Sequence, residues 1–366
     1  MKGDNIIAKQ LFQLFLCFSA DYDYFCTMNQ QQIDEMYMRR CLQLARNGMQ
    51  NAKPNPMVGA LIVSPNPSRG RGVQKSSPQG GQEGVGLIIG EGYHVCCGEG
   101  HAEVNAFASV LPENEPLLKG ATIYVSLEPC AHYGKTPPCC DLIIRKGVKR
   151  CVVGCVDPFA KVQGRGIQKI CEAGIEVTVG VLEKECQSLN KHFFTYHQLQ
   201  RPYILLKWAQ TSNSFIDDHG KAIALSTPYT KMLVHKLRSE YDAILVGRIT
   251  DEREHPQLNV REWSGKDPVR LVLKNEELRV KSEESHPSPL SSFLSSLSVQ
   301  SLMVEGGRRT LQSFIDAGLW DEIRIETSPI TVTDGTPAPQ LPAEALLQQE
   351  QFVDGNIIRT YMKCLE

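Results

Sequence analysis

No apolar run in this 366-residue chain approaches the ~18–20 residues that cross a bilayer. The most apolar stretch near the N-terminus, Leu14 to Phe18, ends after five residues. A membrane-spanning helix is not expected. The chain also lacks a basic surplus: 39 Lys and Arg stand against 41 Asp and Glu, for a net charge of −2. Proteins that coat nucleic acid need an excess of positive charge to neutralise phosphates, so no nucleic-acid partner is expected. Charged residues stop at 22% while hydrophobic residues reach 42%, too even a mixture for a disordered chain or a fibre. Cysteine, by contrast, is plentiful at 13. Disulfide frameworks belong to short secreted domains, so the plain expectation is reduced, mostly buried thiols in a cytoplasmic protein.

Single hydrophobic cores stop growing near ~250–300 residues, so the length implies two domains. Lys2 and Lys9 precede the short Leu14–Phe18 run, which makes a weak signal peptide one reading of the N-terminus. Gln10 and Gln13 interrupt that run and no small-residue cleavage site follows, so residues 1–28 read instead as a non-essential extension, with a fresh start at Met28. Beyond it, helical and strand patterns alternate. Ile33 to Ala45 is apolar at helical spacing and Gly59 to Val63 is a buried-strand run. Residues 65–86 hold six glycines and three prolines and read as a flexible surface insertion. Strands are expected at 87–90, 121–126, 151–156 and 176–179, with helices from about His101, over 140–146, over 167–172 and over 183–192. The pattern restarts after Arg201-Pro202 with strands at 203–208, 242–247, 269–273, 301–304 and 322–326. Helices at 229–238 and 311–317 fall between them, and the Ser-rich stretch 282–301 reads as a loop with a weak helix. Alternation of this kind specifies an α/β domain in each half, with the boundary near residue 199.

Chemistry is concentrated in the first half. Gly100-His101-Ala102-Glu103 is followed by Glu128-Pro129-Cys130 and by Cys139. One His and two Cys suit zinc, and three protein ligands leave a fourth position open, as a catalytic zinc requires. Glu103, two residues after His101, stands where a carboxylate can exchange a proton with a reacting water without joining the metal. The zinc-deaminase signature is H-x-E followed by P-C-x-x-C; here eight residues separate the two cysteines instead of two. The alternatives are a capping His with core cysteines, or a structural zinc that recruits Cys140. Nearby, Asn55 in Pro54-Asn55-Pro56 is either an amide for a heterocyclic base or a turn residue. His94 is either a substrate contact or a strand-end histidine. Lys135, in the loop that begins at His132, offers a cation for a phosphate.

The segment Leu127-Glu-Pro-Cys-Ala-His-Tyr-Gly-Lys-Thr-Pro-Pro-Cys139, with Pro54-Asn-Pro-Met-Val-Gly59 and Gly92-Tyr-His94, resembles the bifunctional riboflavin-biosynthesis deaminase/reductase family. The resemblance covers residues 29–366 and explains the long second-cysteine loop. It implies a deaminase domain over 29–198 with the α/β/α sandwich of cytidine deaminases, and a reductase domain over 199–366 with an α/β fold like dihydrofolate reductase. It implies zinc on His101, Cys130 and Cys139, a proton-shuttling Glu103, and substrate contacts from Asn55, His94, His132 and Lys135. In the second half it is carried by Pro202-Tyr-Ile-Leu-Leu-Lys-Trp208, Asp242-Ala-Ile-Leu-Val-Gly247, Val304-Glu-Gly-Gly307 and Leu319-Trp-Asp-Glu-Ile323. There it implies substrate contacts from Arg238, Leu258, Arg261 and Glu305. It further implies NADPH contacts from Ala209, Thr250, Glu254, Gly307, Arg308, Arg309, Thr310 and Leu311. The implied substrate is a small pyrimidine ribotide phosphate, and a homo-oligomer is compatible with the pattern.

The second half departs from the family in places. Asn213-Ser214 replaces Asp-Gly, Ala224-Leu225-Ser226 replaces a Trp-Ile-Ser/Thr stretch, and Glu254-His255-Pro256 replaces Asp-Asp/Asn-Pro. Loss of the Trp removes an aromatic wall, and loss of the Gly restricts the backbone. Two expectations follow: a complete bifunctional enzyme, or an active deaminase with an impaired or vestigial reductase half.

Overall fold

The computed structural model describes residues 28–65, 85–133, 137–159, 163–273 and 289–364. The expectations placed on residues 1–27, on 66–84 of the insertion, on Lys135 and on 282–288 lie outside these. The chain forms two compact units that divide between Asn190 and Lys191.

The first unit opens with α1 (Gln30–Ala45), started by a capping box between Asn29 and Gln32. Its sheet contains β1 (Gly59–Val63), β2 (Ile88–Tyr93), β3 (Thr122–Val125), β4 (Arg150–Val153) and β5 (Glu176–Val179), in the order β2-β1-β3-β4-β5. β1 is antiparallel to both neighbours, while β3, β4 and β5 are parallel. Between the strands run α2 (Ala102–Ala108), α3 (Cys139–Lys146) and α4 (Arg165–Glu172), with α5 (Glu183–Leu189) last. Alternation along the strands separates two faces. Ala60, Ile62, Ile123, Val125, Cys151 and Val153 pack with Ala106 of α2, Ile143 of α3 and Ile170 of α4. Tyr124 points the opposite way and donates its hydroxyl to Asp34 of α1. Arg150 closes on Asp34 as a bidentate pair at 2.8 and 2.7 Å, both side chains nearly buried. The result is a helix–sheet–helix sandwich.

The second unit begins with α6 (Lys191–Leu199). Sequence pattern places one helix over 183–192, and that expectation needs correction; the compact units divide nine residues before the expected boundary near 199. The helix breaks at Asn190, whose side chain turns away to hold the backbone of Met57. After the break the chain belongs to the second unit: Lys191 pairs with Glu322 at 2.5 Å, and the His192 ring packs between Tyr203 and Tyr241.

Its sheet holds seven strands in the order β11-β12-β10-β6-β9-β7-β8. These are β6 (Tyr203–Gln210), β7 (Ala243–Gly247), β8 (Val269–Leu273), β9 (Ser301–Val304), β10 (Glu322–Thr327), β11 (Ala345–Val353) and β12 (Asn356–Lys363). β10, β6, β9, β7 and β8 run parallel. Their crossovers are α7 (Pro228–Glu240), α8 (Arg248–Glu254), α9 (Pro289–Ser296) and α10 (Arg308–Asp316). β7 and β9 are buried along their whole length, as strands covered on both faces must be. One face packs Leu206, Trp208, Val304 and Leu245 under Phe314 and Trp320; the other packs Leu205, Ile244 and Met303 under Val234.

The β11–β12 hairpin was not anticipated. Seven of the nine positions of β11 are exposed, so it lacks the hydrophobic alternation that marks a strand. Its turn was legible: Asp354 and Gly355 take φ of 48° and 86°, the pair of positive values that an Asp-Gly hairpin turn requires. Among the described residues, no helix is long and apolar enough to cross a membrane.

Candidate active sites

In the first unit, three ligand residues meet at the ends of neighbouring elements. His101 is the N-cap residue of α2, and Cys139 is the first residue of α3. Cys130 lies in the segment that follows β3. His101 Nδ1 is 3.6 Å from Cys130 Sγ and 3.4 Å from Cys139 Sγ, and the three ligand atoms lie within 4.8 Å of one another. A tetrahedral zinc with ordinary Zn–N and Zn–S bonds needs an N···S edge of about 3.6 Å. The donor set and its spacing therefore fit zinc. The metal-facing nitrogen is Nδ1, which sequence spacing could not specify. Among the described residues, no other group of three or more His, Cys, Asp or Glu side chains could hold a metal ion.

The thiols are electrostatically unequal. The Cys139 side chain and backbone N–H, the latter at 3.3 Å from the sulfur, lower the Cys130 thiol below its ordinary range. His101 is raised in turn by its contact with Cys130. A thiolate at this position is the form that binds metal. Glu103, in the first turn of α2, is 3% exposed, and burial pushes it up to about 7. It stands beside the two sulfurs, within reach of Cys130 and Cys139.

Asn55 and His94 come together. Asn55 Nδ2 is 3.0 Å from His94 Nε2, and His94 Nδ1 is 3.2 Å from the Gly100 carbonyl. Desolvation lowers the His94 pKa, so the ring is neutral: Nδ1–H donates to Gly100 and Nε2 accepts from Asn55. The His94 ring stands edge-on to His101, with centroids 5.3 Å apart. His94 thereby orients Asn55 and packs against His101. His132 is exposed and faces Phe159.

Two residues that sequence reading missed support this arrangement. Asn105 donates to Tyr93 and Gly100 carbonyls, fixing the loop between β2 and α2. Asn190 clamps Met57, accepting from its N–H at 2.8 Å and donating to its carbonyl at 2.9 Å, which holds the turn that presents Asn55. The only sequence signal would have been a polar residue at the end of an amphipathic helix, and that is too common to single out.

In the second unit the site follows from topology. β7 and β9 are neighbours, but the chain leaves β7 toward β8 and leaves β9 toward β10, on opposite sides. Such a switch point opens a crevice at the carboxyl ends of the strands. Gly247, Thr250, Gly306, Gly307 and Thr310 meet there. A side chain at Gly247 would strike Thr310 Oγ1, and one at Gly306 would strike the Thr310 Cβ. Gly307 caps α10 without a side-chain hydrogen bond, so the first-turn N–H groups of Arg308 and Arg309 have no helical acceptor. That cradle fits the diphosphate of a dinucleotide. Leu311 is different: it is fully buried in the core and gives its N–H to the Gly307 carbonyl. Arg308 lines a cavity of about 370 Å³ with Trp208, Gln210, Arg359 and Tyr361, while Arg309 is exposed. Ala209 lies half-buried near the end of β6, and Glu254 is exposed at the end of α8.

Arg238 and Glu305 pair at 2.7 Å, and Arg238 also reaches the Asn259 carbonyl at 3.3 Å. Asn259 Oδ1 in turn accepts from Arg261, bringing both arginines together. Arg238 Nε and Glu305 Oε1 are buried without a protein partner. Leu258 packs into the core beside Leu205 and Val234. Ser214 takes φ of 66°, a left-handed conformation that glycine adopts more readily. Ser226 donates to Glu326 at 2.7 Å, and the Leu225 carbonyl accepts from Asn356, while Ala224 is exposed beside them.

Comparison with known proteins agrees with both halves. The sequence model of the family "Cytidine and deoxycytidylate deaminase zinc-binding region" matches residues 31–155, and that of "RibD C-terminal domain" matches residues 202–354. The chain is 37% identical to riboflavin biosynthesis protein RibD of Aquifex aeolicus over 342 residues, 83% of this chain and 89% of that protein. It is 31% identical to RibD of Bacillus amyloliquefaciens over 350 residues, 84% and 88% of the two chains. Among solved structures, it is similar to the diaminohydroxyphosphoribosylaminopyrimidine deaminase/5-amino-6-(5-phosphoribosylamino)uracil reductase of Thermotoga maritima. That match has a TM-score of 0.76 and 31% identity, and covers 92% of this chain and all of the other.

Proposed function

The chain belongs to the RibD family of riboflavin biosynthesis, and from that premise we propose how its residues divide the work. The protein is a bifunctional enzyme, with a zinc-dependent deaminase in the first unit and an NADPH-dependent reductase in the second. The observation that carries the residue assignment is the trio His101, Cys130 and Cys139 with the buried carboxyl of Glu103 beside it.

His101 Nδ1 and the two Sγ atoms would hold zinc, which when bound would make a water nucleophilic near neutral pH. Glu103 would take a proton from the attacking water and pass it to the amine as the carbon–nitrogen bond of a diaminopyrimidine ribotide breaks. Ammonia leaves and the ring carbon keeps the water oxygen. Asn55, fixed by His94, holds the heterocycle by hydrogen bonds, and His132 contacts the substrate; Lys135, outside the described residues, is assigned to the phosphate on the chemistry of its cation alone. Ionised Glu103 is the proton-accepting form.

In the second unit, NADPH supplies the hydride that converts the ribosyl group to ribityl. Thr250 and the Gly307–Thr310 turn hold its phosphates, with Ala209 and Glu254 along the same crevice. Arg238, Arg261 and Glu305 bind the phosphorylated sugar; Leu258 supports them from the core. A cytoplasmic location is in keeping with the described cysteines, all of which are free thiols.

One assay tests the whole reading. Ammonia release from the diaminopyrimidine ribotide and NADPH loss on the deaminated product are followed separately with the zinc-loaded protein. Both are expected. Absence of ammonia release from zinc-loaded protein would overturn the deaminase assignment. Ammonia release without NADPH oxidation would favour the reading in which the departures at Ser214, Ala224 and Glu254 have silenced the reductase half.

A further inference from the structure

Glu128 stands two residues before Cys130, close enough to a metal ligand to be taken for a second proton carrier. Its surroundings argue against that role. The residue is 4% exposed, and both carboxylate oxygens are taken by backbone N–H groups. Oε1 accepts from Gly166 at 2.9 Å and Ile167 at 3.4 Å; Oε2 accepts from Gly164 at 2.9 Å and Asp157 at 3.3 Å.

Three of these donors belong to the start of α4. Gly164, its N-cap residue, has no side chain to satisfy them, so Glu128 supplies the cap from another segment and adds a negative charge at the favourable helix end. The approach is tight: a Cβ at Gly166 would lie 1.9 Å from the Pro129 carbonyl oxygen. The fourth donor, Asp157, begins the loop that carries Phe159. Asp157 Oδ1 accepts from the Phe159 N–H at 2.8 Å, and the Phe159 ring faces His132 at 6.3 Å. On the ligand side, the Glu128 N–H donates to Cys155, and the Cys130 carbonyl accepts from Cys140 of α3. One carboxylate thus ties the Pro129–Cys130 segment to the 157–159 wall and to α4.

Resting on the deaminase reading above, we propose that Glu128 is a positioning residue: it sets Cys130 and the Asp157–Phe159 wall relative to one another, and so governs metal retention and substrate fit rather than proton transfer. Glutamine in its place keeps the shape but turns one oxygen into a donor that faces backbone N–H groups, which breaks about half of the clamp.

The test uses the full zinc-loaded chain with E128Q, G166A and E103Q in parallel. The readouts are kcat and KM of ammonia release, the rate of zinc transfer to a chromophoric chelator, and circular dichroism. Disrupting support of this kind changes metal affinity or activity about 10–100-fold. For E128Q the expected result is a KM raised about tenfold and zinc release faster by a similar factor, with kcat and its pH profile unchanged. G166A keeps the carboxylate but pushes α4 off Pro129, so it shifts KM and zinc release in the same direction, and it decides the matter if E128Q does not fold. E103Q loses kcat and keeps its zinc. If E128Q instead behaves like E103Q, Glu128 carries protons and the proposal is wrong; unchanged KM and zinc release in both clamp variants also overturn it. Wild-type ammonia release reports on the deaminase reading itself, and zinc release tests the clamp even where that reading fails.

Discussion

The two sites differ in how complete they are within the chain. In the deaminase unit the ligand atoms already stand at tetrahedral spacing, and both ring nitrogens of His94 are engaged. In the reductase unit Arg238 and Glu305 find each other but keep one buried polar atom apiece without a protein partner, and the first turn of α10 offers uncapped N–H groups. A metal ion is small, and three short side chains at the ends of adjoining elements can surround it. A dinucleotide and a sugar phosphate are large, so their sites consist of groups spread along a crevice whose last hydrogen bonds come from the ligands. The first site therefore stands or falls with a few atoms, and the second yields by degrees.

That contrast can be broken experimentally. The largest effect is expected from Glu103→Gln, which removes the proton carrier and lowers kcat of ammonia release by about 10²–10⁴-fold, a typical range for general acid–base groups. NADPH oxidation on the deaminated product is expected to be unchanged. A parallel loss of both activities would mean that the units do not function separately. Arg238→Met comes next. It leaves Glu305 buried and uncompensated, which destabilises by about 3–5 kcal/mol when a buried pair is broken. Denaturant unfolding of the second unit's transition, with ammonia release preserved, is the check.

A third distinction is pH dependence. Glu103 must be ionised to accept a proton, and burial pushes it up to about 7. Ammonia release should fall as pH drops through its titration, approaching tenfold per unit, and the charge of bound zinc moves that limb to lower pH. E103Q should lack the limb, and NADPH oxidation should not follow it. The smallest effects belong to the departures in the reductase half. Ser214→Gly relieves a left-handed serine and should stabilise by about 1 kcal/mol, read from the denaturation midpoint. Ala224→Trp restores an aromatic wall at an exposed position and should lower the NADPH KM a few-fold, in line with about 0.5–1.5 kcal/mol for an aromatic contact. If neither changes anything, the departures are neutral.

The deaminase site was legible because its residues sit in two short motifs whose spacing reflects their chemistry. His101 and Glu103 flank one helix start, and Cys130 and Cys139 flank one loop. The proposed reductase site is legible only through resemblance, since Arg238 and Glu305 lie 67 positions apart and neither carries a local pattern. Misplaced boundaries have similar causes. Asn190 ends a helix because its amide is needed at Met57, 133 positions away, and the β11–β12 hairpin hides behind solvent-exposed glutamines.

Sequence by itself determined the alternation of helices and strands, the division into two α/β units, and the candidate metal trio His101, Cys130 and Cys139 with the Glu103 carboxyl two residues from His101. These depend on periodicity and on spacing within a few turns of chain. Only the tertiary structure decided that Nδ1 of His101 faces the sulfurs, that Glu128 is spent on backbone N–H groups, and that β7 and β9 open a crevice between them. Such facts depend on strand order and on which elements pack together, and no local pattern encodes either.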